Sequence, residues 1–266
     1  MIELEAITKI YTKGFLRQQK TTAVNNVSLS IKKGGSLGLV GESGSGKTTL
    51  GRIALRLIEP TSGTVRFDGV NLMALSRPAL RQIRPRMQIV FQDPDTSLDP
   101  RMTIQDCIAE PLEIWNLVEP QDREDRVLEL LDLVGLQQDL LGRFPFEMSG
   151  GQKQRVALAR VLALKPEFIV ADEPTGALDL SVQAQVLSLI KTIQKKTNLT
   201  LLFISHDLQI IEQMSDTVAV MHEGRIVERG TPRGILHDPK DPYTRKLVDA
   251  AYQSEAWLGK NLPANR

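Results

Sequence analysis

Two short stretches of this 266-residue chain combine glycine, serine and lysine in spacings that suit an anion. The first is GESGSGKTT, Gly41–Thr49, with the spacing G-x-x-x-x-G-K-[ST] of a P-loop. Gly41, Gly44 and Gly46 let the backbone bend so that N–H groups along Glu42, Ser43 and Ser45 turn inward on phosphate oxygens. Lys47 adds a positive charge for β and γ phosphates, and Thr48 offers a hydroxyl to Mg2+. The helix that follows, through Thr49, brings the positive end of its dipole to the same place. The alternative, a chance glycine-rich turn, lacks a reason for the buried-strand pattern GSLGLVG before it and the helical pattern KTTLGRIALRLI after it. The run from Gly41 to Thr49 is therefore the candidate ATP-binding loop.

The second stretch is MSGGQKQRVALARVLA, Met148–Ala163. Ser149, Gly150 and Gly151, followed by Gln152, open another helix, and a serine hydroxyl beside helix-start N–H groups also binds phosphate. A chain whose own loop already holds the γ phosphate has no use for a second cradle on the same nucleotide. The simple resolution is a second molecule: two copies head to tail, each offering its loop to one ATP and its serine-glycine helix start to the other. ATP then joins the subunits, and its hydrolysis loosens them.

Further polar residues stand where predicted strands end, which is where open α/β sheets bind ligands. Asp172, after FIVA, is read as a Mg2+-holding acid acting through water; capping the next element is its alternative. Glu173, one residue on, polarises the attacking water or is an ordinary turn carboxylate. Gln92, after IVF, ligates the metal and orients water or is a surface amide. His206, after LLFI, reaches the γ phosphate or is a structural histidine. Tyr11, read as lying just after the first strand, can stack on adenine or belong to the core, with Phe15 as the competing ring.

The elements that must position these residues alternate. IELEAI and TAVNNVSLSI read as half-buried antiparallel strands around a polar, basic loop, TKGFLRQQK. Strand patterns recur in PTSGTVRFDG, MQIVFQ, EFIVADE, TLLFISH, TVAVMHEG and RIVERG. Residues 103–163 read as helical, with Val127, Leu130, Leu131 and Val134 on one face. A further helix, SVQAQVLSLIKTIQKK, puts Val182, Val186, Leu189 and Ile193 on one face. Strands alternating with helices argue for an α/β fold with a parallel sheet. The end of the chain reads as an appended segment with a frayed tail.

Composition narrows the class. With 33 basic and 32 acidic residues the net charge is +1, which disfavours a nucleic-acid-coating role. A single cysteine, Cys107, excludes an internal disulfide and a cysteine-rich metal site. No apolar run approaches bilayer length, and the first residues lack a secretory pattern, so the expectation is a cytosolic protein that meets membranes through partners.

MSGGQKQR resembles the signature motif of the ATP-binding cassette family, usually LSGGQ. With GESGSGKTT, VFQDP, FIVADEP, GALD and ISHD in that order, the resemblance covers nearly the whole chain. It implies a P-loop NTPase (RecA-type) core with an antiparallel β subdomain and an inserted helical subdomain. It implies a single nucleotide-binding domain over 1–250, with the insert at about 93–163, and a tail over 251–266. Gln92 is then the Q-loop glutamine, Ser149–Gln152 the signature, Asp179 part of a loop crossing to the partner site, and His206 the switch histidine. Met148 replaces the usual Leu at similar volume. VFQDPDTSLDPRMTIQDCIAEPL and HDPKDPYTRKLVDAA resemble the oligopeptide, dipeptide and nickel uptake group, with Asp241 where His is usual. The cysteine-rich extension of some members is absent. This resemblance implies ATP and Mg2+ as cofactors and a second ATPase subunit, identical or related. It also implies two membrane permeases, an extracytoplasmic binding protein, and a place on the cytoplasmic face of the inner membrane. A permease helix would dock between the Q-loop and the helical insert, along Phe91 to about Leu112. The rivals are an exporter ATPase, against which DPYT argues, a non-transport ATPase of the same family, and a non-hydrolysing regulator, which Glu173 and His206 oppose.

Overall fold

The computed structural model describes residues 1–13 and 19–261, with side chains over 1–12 and 19–252. The elements begin with β1 (Ile2–Lys13), β2 (Gln19–Ile31), β3 (Ser36–Val40), α1 (Lys47–Ala54), β4 (Ser62–Phe67), β5 (Val70–Asn71) and α2 (Arg77–Ile83). They continue with β6 (Met87–Val90), α3 (Ile104–Ile114), α4 (Arg123–Leu133), α5 (Gly150–Leu162), β7 (Phe168–Asp172) and α6 (Leu180–Thr197). The last are β8 (Thr200–Ile204), α7 (Leu208–Met214), β9 (Thr217–His222), β10 (Arg225–Gly230), α8 (Pro232–His237) and α9 (Pro242–Asn261). The chain divides into two compact units, Met1–Met73 with Leu202–Arg266, and Ala74–Leu201.

In the first unit, an antiparallel sheet runs in the order β2-β1-β4-β5. Its strands are longer than their apolar alternation suggests: pairing continues to Lys13↔Gln19, so both ends of the stretch read as loop are strand. Ladder hydrogen bonds between backbones do not require apolar side chains, which is why the pattern stopped short. Tyr11 consequently sits inside β1, not after it. The register shifts between Leu4 and Ile7, near Ala6 at φ 50° and opposite Asn26 at φ 53°. This bulge changes the buried phase from Ile2 and Leu4 to Ile7.

The same unit holds strands in the order β10-β9-β3-β8. β3 and β9 are parallel, from Leu37↔Thr217 to Val40↔Val220. β9 and β10 form a hairpin whose turn residues Glu223 and Gly224 both have positive φ, the geometry that matches strand twist. Every residue of β3 and β8 is buried, Ser36 and Thr200 at their starts along with the apolar residues that follow.

In the second unit β6 and β7 are parallel, from Met87↔Phe168 to Val90↔Ala171. Helices α3, α4 and α5 fill the stretch read as helical, with Val127, Leu130, Leu131 and Val134 buried. Side-chain caps start them where the sequence offers them. Thr103 and Asp106 form a capping box on α3, and Asp179 accepts from Val182 N–H on α6. The buried face of α6 is Val186, Leu187, Ile190 and Ile193, rotated from the expected one: Leu189 and Val182 are only half-buried. Cys107 is buried, and burial pushes its thiol up to about 11, so it stays protonated and inert. Among the described residues no helix is long and apolar enough to cross a membrane.

Candidate functional site

The phosphate loop in the first unit is built from β3, a turn and α1. β3 is held in place by its buried side chains and delivers Gly41 at its end. Gly46 caps α1 at φ 106°, and a Cβ there would stand 2.1 Å from Ala23 O, so no side chain fits without moving backbone. Lys47 is buried, and its Nζ donates to Gly41 O at 2.7 Å and Glu42 O at 2.8 Å. Ser45 Oγ is buried with no hydrogen-bond partner in the structure. A buried ammonium that donates to two loop carbonyls, an orphan hydroxyl and the open N-terminus of an eight-residue helix form a ring of donors that a triphosphate would complete. The residues therefore fit ATP.

His206, exposed, follows β8 in the same unit. Its neighbours fix the backbone: Asp207 N–H donates to Ser205 Oγ at 3.0 Å, and Asp207 Oδ1 accepts from Gln209 N–H at 2.8 Å to cap α7. Tyr11 is 40 % exposed, with Lys9 Nζ 5.1 Å from its ring centroid. Phe15 lies outside the described residues.

The second unit holds Gln92, Asp172, Glu173, Ser149–Gln152 and Asp179. Asp172 is buried at the end of β7. Glu173 has φ 48°, the left-handed region that costs a non-glycine residue on the order of 1 kcal/mol. The fold holds the strain and turns the carboxylate toward Gly176, 3.5 Å from where a Cβ on that glycine would lie. Gln92 Nε2 is 3.3 Å from the same point. Gln92 and Glu173 are thus brought together around Gly176, although they are far apart in sequence. Within this unit, Gln92 and Asp172 offer amide and carboxylate oxygens, the hard donors that Mg2+ takes.

Ser149 caps α5. Gln152 N–H donates to Ser149 Oγ at 3.3 Å, and Ser149 N–H donates to Gln152 Oε1 at 2.9 Å. This capping box fixes the glycine helix start and leaves Ser149 and Gly150 exposed, while Met148 is buried as Leu would be. Gly151 packs against α6, where a Cβ would come within 2.2 Å of Val182 Cγ1. Asp179 Oδ1 accepts from Val182 N–H at 3.0 Å and Ser181 Oγ–H at 2.7 Å; those bonds hold its carboxyl below the usual range. The residue expected to reach a partner site also caps its own helix.

The sequence reading missed the side chains that make α5 a hub. Lys153 Nζ meets Asp95 Oδ1 at 2.6 Å, and Gln154 Nε2 donates to Phe91 O at 3.4 Å, beside Gln92. Arg155 donates to Val134 O at 3.0 Å, behind α4, and to Gln185 Oε1 of α6 at 2.9 Å. Arg160 donates to Ser97 O at 3.0 Å and pairs with Glu110. The only signal was a row of polar residues interrupting an otherwise apolar helix. On one side of this hub lies a groove of about 510 Å³, walled by Phe91, Ser97, Pro111, Ile114, Trp115 and Val161. It includes part of the expected Phe91–Leu112 lining and continues beyond it to Trp115 and the outer face of α5.

Residues 24–176 match the ABC transporter family. The dipeptide transport ATP-binding protein DppF of Lactococcus lactis subsp. cremoris is 47% identical over 94% of this chain and 80% of its own length. The oligopeptide transport ATP-binding protein OppF of Streptococcus mutans is 47% identical over 97% and 83%. The bacterial ABC transporter cassette MJ0796, solved as a dimer, superposes with a TM-score of 0.79 at 33% identity, over 88% of this chain and all of that one. The same cassette bound to ADP and Pi gives 0.79 at 32%. A family match over more than half the chain, relatives 47% identical over 94% or more of this chain and cassettes of the same fold lead to one conclusion: the chain belongs to the ABC transporter family and is an ATP-binding cassette ATPase.

Proposed function

We propose that this chain is the ATP-hydrolysing subunit of an importer for peptides or a related small solute such as a nickel chelate. The observation that carries the reading is the 47% identity, along 94% of the chain, to a protein named for dipeptide transport. The chain is one nucleotide-binding domain over about 1–250, with the helical insert at about 93–163 and a tail over 251–266. It works on the cytoplasmic face of the inner membrane beneath two permease subunits, with an extracytoplasmic binding protein delivering the solute. The groove beside Trp115 receives a short permease helix, in the helix-in-groove manner.

Gly41–Thr49 hold the triphosphate, Lys47 moving its charge from Gly41 O and Glu42 O to the phosphates. Tyr11 stacks on the adenine. Thr48, Gln92 and Asp172 hold Mg2+, which when bound neutralises charge on the β and γ phosphates. Glu173 accepts a proton from the attacking water, with Gln92 orienting it and His206 hydrogen-bonding the γ phosphate. Ser149–Gln152 of one subunit close on the ATP held by a second ATPase subunit, and Asp179 lies on that face. Phe146, 71 % exposed, and Leu180, 82 % exposed, stand close in sequence to Ser149 and Asp179 and suit an assembly that covers them.

Replacing Glu173 with Gln tests the reading. ATP binding is retained, hydrolysis falls at least about 100-fold, and ATP now holds a dimer in gel filtration. Cells carrying the variant in place of the native gene stop accumulating labelled peptide. Hydrolysis near the normal rate would remove Glu173 from its role; undiminished uptake would remove the transport assignment.

A further inference from the structure

The C-terminal DPYT stretch has no part in the roles above, yet its tyrosine touches the phosphate loop. Glu42 N–H donates to Tyr243 Oη at 3.0 Å. Across the same peptide unit, Gly41 O accepts from Lys47 Nζ at 2.7 Å. In a trans peptide the C=O and N–H point in opposite directions. Tyr243 and Lys47 therefore hold opposite ends of one peptide plane, and the tyrosine hydroxyl helps set which way the Gly41 carbonyl faces.

Tyr243 is itself held firmly. Its ring stacks on His222 with centroids 3.7 Å apart and planes 22° from parallel. Its N–H donates to Asp241 Oδ1 at 2.8 Å, so Asp241, where the importer group usually has His, caps α9. The N–H groups of Lys240 and Asp241 donate to Glu228 Oε1 and Oε2 on β10 at 2.9 and 3.0 Å. Burial raises the Glu228 pKa, but those donors outweigh it and leave the group below its ordinary value, as a charged acceptor. The chain from β10 through the first turn of α9 forms a fixed arm ending at the loop.

We infer that Tyr243 is a positioning residue for nucleotide binding, holding the Gly41–Glu42 peptide in place when Lys47 leaves it for the phosphates. The inference rests on the reading of Gly41–Thr49 as the ATP loop. Before binding, two groups fix that peptide; once the lysine has turned to the triphosphate, the tyrosine hydroxyl remains. Its contribution is therefore larger in the bound state than in the free one, which makes it a term in affinity. Tyr243 does not touch reacting atoms, so the chemical step is left alone.

The test uses the full-length chain, with Kd measured for a fluorescent ATP analogue with Mg2+ and KM and kcat from steady-state hydrolysis. Tyr243→Phe keeps the ring against His222 and removes only the acceptor. Kd and KM rise about fivefold, equivalent to about 1 kcal/mol, while kcat and the nucleotide-free unfolding midpoint stay within error of the parent. Asp241→Ala, which releases the turn, moves Kd in the same direction. A Kd unchanged in Tyr243→Phe, or a fall in kcat and unfolding midpoint without a change in Kd, overturns the proposal. Lys47→Ala is the control: if it loses nucleotide and Tyr243→Phe does not, the tyrosine assignment alone fails. If the parent chain binds no nucleotide, the ATP-loop reading fails, and this inference with it.

Discussion

Glycines at the loop show how a single residue decides function through space and backbone angle. Gly44, at φ 83°, would meet nothing within 4 Å if it gained a Cβ. Gly44→Ala therefore costs only left-handed strain, about 1 kcal/mol. Gly46, at φ 106°, adds a contact of 2.1 Å with the Ala23 carbonyl, which cannot give way as a side-chain tip would. We predict that Gly46→Ala loses affinity for an ATP analogue at least about tenfold more than Gly44→Ala, since the clash adds more than about 1.4 kcal/mol. Equal effects in a binding titration would show that backbone angle alone governs the loop. Glu173 presents the converse case: a non-glycine residue at φ 48°, whose carboxylate lies beside Gln92 and Gly176.

Among the elements, α5 has the most to coordinate. Its first turn presents Ser149 and Gly150, its second grips Asp95, Phe91 O and α4, and its third reaches Ser97 and Glu110. Gly151 sets its distance from α6, because Val182 Cγ1 occupies the volume that a Cβ would need. Gly151→Ala should lower stability by about 1–3 kcal/mol, the range for overpacking. Val182→Ala removes the colliding methyls, so the double variant should be more stable than the sum of the single effects predicts, by about 1 kcal/mol or more. Urea unfolding of the four proteins measures this. Strict additivity would mean that the helices are held apart by something else.

At the scale of the whole molecule, the proposed function gives the two cradles in one chain to two copies that share two nucleotides. Ser149→Arg places a long cation at the exposed start of α5 without disturbing Gly41–Thr49. The variant should bind ATP with the parent affinity, remain monomeric in gel filtration with ATP, and lose at least about tenfold in hydrolysis. In the parent, hydrolysis per subunit should rise with protein concentration through the dimerisation range. Parent-like hydrolysis by Ser149→Arg, or a rate independent of concentration, would return the second cradle to a purely local role. Mixing Ser149→Arg with Lys47→Ala subunits should restore one composite site, because each supplies what the other lacks.

Some of this was determined by the sequence alone. The loop GESGSGKTT, the helix start after Met148 and the carboxylates after FIVA are local: neighbouring residues set both backbone and chemistry, so spacing carries the information. Burial of Val127, Leu130, Leu131 and Val134 was equally readable, because helical period and apolar type coincide. Tertiary structure decided the rest. The true inner face of α6, the continuation of β1 and β2 into polar residues, and the meeting of Gln92 with Glu173 depend on partners distant in sequence. So does the hydrogen bond from Glu42 to Tyr243, which spans 201 positions. A polar group shows in sequence only that it needs a partner; packing alone determines which one it finds.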